Sequence, residues 1–309
     1  MAKAFAPATI TNFFSVHQDK SRGGLVRSGA TGGGYILSKG VVSRVELVGN
    51  SAHPIFETSV NGDSRYHART TRQALRLLMK AAGKNARLRV EQQVDVPIGF
   101  GFGASAASAL SAVLAASAAL DLRLSKAQTA KFAHDAEIIQ RTGLGTVSAV
   151  YDGLGAGLVY EPGAPGVAKF RNVRTSASIR IVTASLAPLR LAGLLSSQRK
   201  VARVNRFGDD ALRRVLAEPT LDRMAKEGET FTRKVGLINN EVASLIRLAK
   251  RTGAAYASQN MVGEAMHAVV PLGSAASVAR ALRSSSLEPR VDVFELGRVK
   301  AGVISLASG

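Results

Sequence analysis

Pro97-Ile98-Gly99-Phe100-Gly101-Phe102-Gly103-Ala104-Ser105-Ala106-Ala107-Ser108-Ala109 decides how this chain is read. Three glycines alternate with bulkier residues, a serine follows two positions after the last, and an uncharged, alanine-rich run continues to Leu120. The spacing predicts a loop feeding a helix. Glycine takes positive φ without strain and lets backbone N–H groups approach a ligand closely. The first turn of a helix adds unpaired N–H donors and a partial positive charge. Together they make a site for phosphate. Ser105 falls in that first turn, where its hydroxyl can reach a phosphate or a Mg²⁺ ion. Pro97, Gly99, Gly101, Gly103, Ala104 and Ala106 complete the candidate phosphate-binding loop.

The loop lacks the Gly-Lys-Ser/Thr ending of a Walker loop, and it contains no strict Gly-x-Gly-x-x-Gly of a dinucleotide fold. A glycine-rich turn before a buried helix remains the structural alternative. Residues 97–120 carry no charge, but they are mostly Ala, Ser and Gly. A bilayer span needs about 20 strongly apolar residues, so the run suits a tightly packed core helix instead.

With 309 residues, 46% of them hydrophobic, the chain can form two domains or one large one. Cysteine is absent, which excludes disulfides and thiolate chemistry. The five histidines, at 17, 53, 67, 134 and 267, show no metal-ligand spacing. The first residues are not a long apolar run, and no segment reads as a membrane span, so a cytoplasmic protein with no membrane partner is expected. A homodimer is compatible with these features. The net charge of +19, from 41 basic and 22 acidic residues, raises nucleic acid or anionic substrates as partners. Aromatic residues make up only 5% and Trp is absent. Bases stack on such side chains, so nucleic acid is disfavoured. A positive field would equally serve a cleft for small anions.

Residues 3–16 read as a strand and turn, 19–34 as a Gly/Ser/Arg-rich loop, and 41–48 as a strand. The spacing predicts a helix over 67–82, with Ala74, Leu77, Leu78 and Ala81 inward. A strand at 88–96 delivers the chain to the loop. Ser125 is a helix N-cap, and that helix runs to about Gln140. Residues 143–157 read as a glycine-punctuated turn and strand. Pro162–Gly166 is the clearest boundary, giving domains 1–166 and 167–309. Beyond it, 179–186, 291–296 and 300–306 are strand-like, and 207–218 and 235–251 helical. Strands and helices alternate without repeats, an α+β pattern.

The run Pro-x-Gly-x-Gly-x-Gly-x-Ser-Ala-Ala resembles the phosphate loop of the GHMP kinase superfamily, whose members phosphorylate small-molecule hydroxyls or carboxylates. Phe5-Ala6-Pro7-Ala8-Thr9-Ile10-Thr11-Asn12-Phe13-Phe14 is similar to the opening of the archaeal pantoate kinases. So are Ala133-His134-Asp135-Ala136-Glu137-Ile138-Ile139-Gln140-Arg141-Thr142-Gly143-Leu144-Gly145-Thr146-Val147 and Pro162-Gly163-Ala164-Pro165-Gly166. The motifs lie in order over about the first 166 residues; the remainder resembles that family only loosely. The resemblance implies a two-lobed GHMP-kinase-like α+β fold, with a ribosomal-protein-like N-terminal lobe and a ferredoxin-like C-terminal lobe. It implies ATP and Mg²⁺ as cofactors and pantoate as substrate, phosphorylated on the way to coenzyme A. Mg²⁺ would lie between Ser105 and Glu137, since it takes one or two carboxylates plus phosphates. Ser21, Arg22, Ser28 and Gly29 would lie beside the substrate, and Arg141 would pair with its carboxylate.

Two positions depart from the superfamily pattern. Thr9 stands where many members carry a lysine, and Thr146 stands where the aspartate often assigned as catalytic base would fall. Threonine does not accept a proton at neutral pH. Either the reaction runs without a dedicated base, or Asp152 or Asp135 substitutes. The third superfamily motif is reduced to Gln259-Asn260-Met261-Val262-Gly263-Glu264. A kinase for mevalonate or homoserine, an RNA-associated basic protein, and a kinase that has lost turnover remain as alternatives.

Overall fold

In the computed structural model, which describes residues 1–19, 21, 23–188 and 197–306, almost every residue from Ala2 to Val16 is buried or half-buried. This stretch forms one long strand, β1 (Ala2–His17), with irregularities near Thr9 and Phe13. Next come a short 3₁₀ turn at Gly24–Val26, the 22-residue β2 (Gly29–Asn50), β3 (Ile55–Val60), α1 (Arg69–Ala81) and β4 (Ala86–Val94). Then follow α2 (Ala104–Ala119), α3 (Lys126–Gln140), α4 (Thr146–Asp152), β5 (Ala156–Glu161) and β6 (Lys169–Val173). The rest runs β7 (Ile179–Ala187), α5 (Gln198–Ala217), α6 (Leu221–Val235), α7 (Asn240–Arg251), β8 (Tyr256–Gln259), β9 (Glu264–Pro271), α8 (Leu272–Arg283), β10 (Arg290–Phe294) and β11 (Gly302–Leu306).

The larger, seven-stranded sheet has the order β11-β1-β2-β4-β3, with β5 on the first part of β2 and β6 on β5. Only β3–β4 is parallel, and α1 is its crossover. The second sheet, β10-β7-β9-β8, is antiparallel and carries a separate core against α7 and α8. This is the expected two-lobed α+β arrangement. The larger sheet takes strands from both sides of residue 166, because β6 and β11 close it.

α2 lies at the centre, against α1, α3, β1 and β2. Ala106, Ala107, Ala109, Ala112, Ala115 and Ala116 are fully buried. A helix apolar on every side belongs in a core, and small side chains let its neighbours close in. Among the described residues no helix is long and apolar enough to cross a membrane.

Three expectations change. Residues 29–34 are strand, not loop. A Cβ at Gly34 would collide with the Ile10 carbonyl, and one at Gly33 would stand 2.8 Å from Leu158 and from the Phe13 ring. These glycines permit close strand approach. Residues 146–152, read as turn and strand, form α4. In α1 the buried face is Thr70, Thr71, Ala74, Leu75, Leu78 and Met79, rotated from the expected one, and Ala81 is exposed. The Ser125 cap is present as a reciprocal capping box with Gln128.

Candidate active site

β4 delivers the chain to residues 97–103, where Gly99, Gly101 and Gly103 have φ of +89°, +81° and +63°. These are left-handed conformations open to glycine at little cost. Gly103 is the N-cap of α2, with no side-chain cap bond, so the first-turn N–H groups stay available to a ligand. Gly99, Gly101, Gly103, Ala104 and Ser105 line a cavity of about 990 Å³. Pro97 and Ala106 are buried behind it and do not line it.

Opposite the loop, the last turn of α3 brings Glu137 to the same cavity. Glu137 is 1% exposed. Its Oε2 accepts the Val147 N–H at 3.4 Å. Burial pushes its carboxyl up to about 7; the N–H groups of residues 145–147 and the Thr146 hydroxyl, at the start of α4, oppose that shift. Gly143 is required here, since any Cβ would collide with the Glu137 carboxylate.

Arg141, the left-handed C-cap of α3, projects exposed at the cavity wall. Thr146 lines the cavity as well. Thr9 and Thr146, the two departures from the superfamily pattern, meet at one point. A Cβ on Gly103 would stand 2.8 Å from Thr9 Cγ2 and 3.0 Å from Thr146 Cγ2. The Thr9 hydroxyl is committed to the Tyr35 carbonyl at 2.8 Å. Neither substitute acid reaches the cavity. Asp152 faces Lys300 at 3.7 Å, and Asp135 is held by Lys131 at 2.5 Å.

The expected substrate contacts are only partly gathered. Ser28 is buried, and its hydroxyl accepts the Asp19 N–H at 2.9 Å. Ser28, Gly29 and the exposed Ser21 lie outside the cavity lining, whereas their neighbours 30–34 are part of it. Arg22 lies outside the described residues.

Sequence reasoning missed Arg65–Thr71, Thr31, Met261 and Val262, which also line the cavity. No motif marks them; the one signal in the sequence is the closely spaced Arg65, Arg69, Arg72 and Arg76. Arg65, Arg69 and Arg141 face only two lining acids, Asp63 and Glu137, so the cavity favours anions.

The residues fit a magnesium ion. Among the described residues no group of three His, Cys, Asp or Glu could hold a metal alone. Ser105 and Glu137 share the cavity, and Mg²⁺ typically takes one or two protein oxygens and completes its shell with phosphates and water.

Residues 69–153 match the family model described as the GHMP kinases N terminal domain. The chain is 28% identical over 274 residues to a pantoate kinase of Thermococcus kodakarensis, covering 87% of this chain and 88% of that one. It is 27% identical over 262 residues to a pantoate kinase of Methanospirillum hungatei, covering 84% of each. A solved structure described as a phosphotransferase related to the CoA biosynthesis pathway superposes with a TM-score of 0.84 at 26% identity, covering 97% of both chains.

Proposed function

We propose that the chain is a small-molecule kinase of the GHMP superfamily that phosphorylates pantoate to 4-phosphopantoate with ATP, a step towards coenzyme A. The observation that carries this reading is the convergence of a left-handed glycine loop, Ser105 and Glu137 on one cavity with a basic wall. The likeness to two pantoate kinases over most of the chain supports the acceptor.

The loop from Gly99 to Ser105 receives the nucleotide phosphates on backbone N–H groups. Ser105 and Glu137 would hold Mg²⁺, which would supply neutralisation of phosphate charge. Arg141 and the wall at residues 30–34 orient the acceptor, the arginine pairing with its carboxylate. The acceptor oxygen bonds to the γ-phosphorus as the bond to the β,γ-bridging oxygen breaks. Thr146 takes no proton. The hydroxyl proton leaves late, to an oxygen of the transferred phosphoryl group, as a loose transition state permits.

The test is ADP release by the purified protein with Mg²⁺-ATP and pantoate, mevalonate, homoserine or no acceptor. Turnover with pantoate alone is expected. Turnover with mevalonate or homoserine instead would move the substrate assignment. Silence with every acceptor would overturn the kinase reading, and RNA binding that falls steeply with added salt would then account for the basic surface.

A further inference from the structure

Two buried polar side chains link the second sheet to the phosphate loop. His267 on β9 is 3% exposed, and its Nδ1 lies 2.8 Å from Asn260 Oδ1. An amide oxygen only accepts, so the imidazole donates from Nδ1. Asn260 is fully buried, and its Nδ2 donates to the Phe100 carbonyl at 2.7 Å. From the other side, the Thr9 N–H donates to the Phe102 carbonyl at 3.1 Å.

In a trans peptide the carbonyl and the N–H of one plane point in opposite directions. Tying back the Phe100 carbonyl turns the Gly101 N–H away from Asn260. Tying back the Phe102 carbonyl does the same for the Gly103 N–H. Both glycines line the cavity, and neither N–H has an acceptor among the described residues. The turn holding Asn260 is fitted to the loop. A Cβ on Gly101 would stand 2.8 Å from the Val262 carbonyl and 3.1 Å from Asn260 Cβ, and one on Gly263 would stand 2.7 Å from Phe100 Cα.

We infer that Asn260, locked in orientation by His267, is a positioning residue that aims the Gly101 N–H at a nucleotide phosphate. Specificity for the charged end of the nucleotide is therefore set from the second sheet, by side chains that touch no ligand. The inference rests on the loop's being the phosphate site. It goes further by assigning a function to residues of the reduced third motif and to a histidine remote from the reacting atoms.

The experiment compares binding of Mg²⁺-ATP and of adenosine by calorimetry, in wild type and in Asn260→Leu, which keeps the γ-branched shape and removes the donor. Wild type should prefer ATP strongly. Asn260→Leu should weaken ATP about tenfold, the loss of about one hydrogen bond to a charged group, and leave adenosine unchanged. If Asn260→Leu does not fold, the pair His267→Gln and His267→Phe decides. Glutamine retains a donor for Asn260 and should keep the ATP preference, while phenylalanine should lose part of it. Equal weakening of ATP and adenosine, or an unchanged preference in every variant, would overturn the inference and leave the phosphate-loop reading standing. A wild type that binds adenosine as tightly as ATP would overturn both.

Discussion

The chain has two glycine clusters that look alike in composition and do opposite things. Residues 29–34 contain Gly29, Gly32, Gly33 and Gly34, and residues 99–103 contain Gly99, Gly101 and Gly103. The first cluster is strand, and its bare Cα atoms let β1 approach to where Gly34 faces the Ile10 carbonyl. The second is a loop in left-handed conformations, with the Gly101 and Gly103 N–H groups left without partners among the described residues. Glycine content alone does not distinguish a packing device from a ligand cradle. Spacing does: consecutive glycines let another strand approach, while alternating ones let single peptide planes turn.

The largest effect should fall on the chemistry that the second cluster serves. Ser105→Ala and Glu137→Gln are each expected to lower turnover by on the order of 10²–10³-fold, with melting temperatures no lower than wild type. Steady-state kinetics beside thermal melts check this, and near-normal turnover in both would remove the metal-site assignment. Next in size, Gly34→Ala should destabilise the fold by about 2–3 kcal/mol through overpacking against backbone, read by denaturant unfolding. A wild-type unfolding midpoint would mean that strand 29–34 tolerates a side chain and the contrast is false. Gly101→Ala should behave the other way round. Left-handed strain of about 1–2 kcal/mol, together with a Cβ 2.8 Å from the Val262 carbonyl, displaces the loop locally, so the KM for ATP should rise roughly tenfold while the protein still folds.

The smallest effect concerns what stands behind the phosphate loop. Burial pushes His267 from 6.5 down to about 3. Between those values the unfolded chain binds a proton that the native state does not, so His267 makes stability fall as pH drops from about 6.5 towards 3. His267→Gln should show a shallower acid dependence of its melting temperature. Glu137 works in the opposite sense. Its pKa is raised from 4.5 to about 7, so its contribution to stability is present at low pH and is lost as pH rises towards 7. Melts from pH 4 to 7 in a Glu137→Gln background therefore isolate the histidine. Identical slopes with and without His267 would show that it is not held neutral.

The glycine loop before α2, the Ser125 cap and most strands were legible because each rests on local chemistry: a turn residue, a capping hydroxyl, an alternation. Residues 29–34 were misread because what makes them a strand is Ile10, Phe13 and Leu158, all distant in sequence. α4 was hidden for a similar reason, since glycines at 143, 145 and 153 suggested turns while the first and last of these serve close packing against Glu137 and Ile36. Glu137 was found by motif, yet its burial follows from the α4 turn closing over it. Asn260 and His267 have no sequence signature that ties them to residues 99–103. The meeting of Thr9 and Thr146 across Gly103 likewise emerged only in three dimensions.

β11, at residues 302–306, pairs with residues 2–5 of β1. On the ribosome, residues 2–5 must wait for a strand about 300 residues later before this edge is covered. An unpaired strand edge invites pairing with other chains, and contacts this distant in sequence form slowly. The turn at 259–263 that braces the nucleotide loop also arrives late. A nascent chain stalled before it would carry the glycine loop and Glu137 but lack the brace. Its synthesis should therefore depend on protection from aggregation until translation passes residue 306.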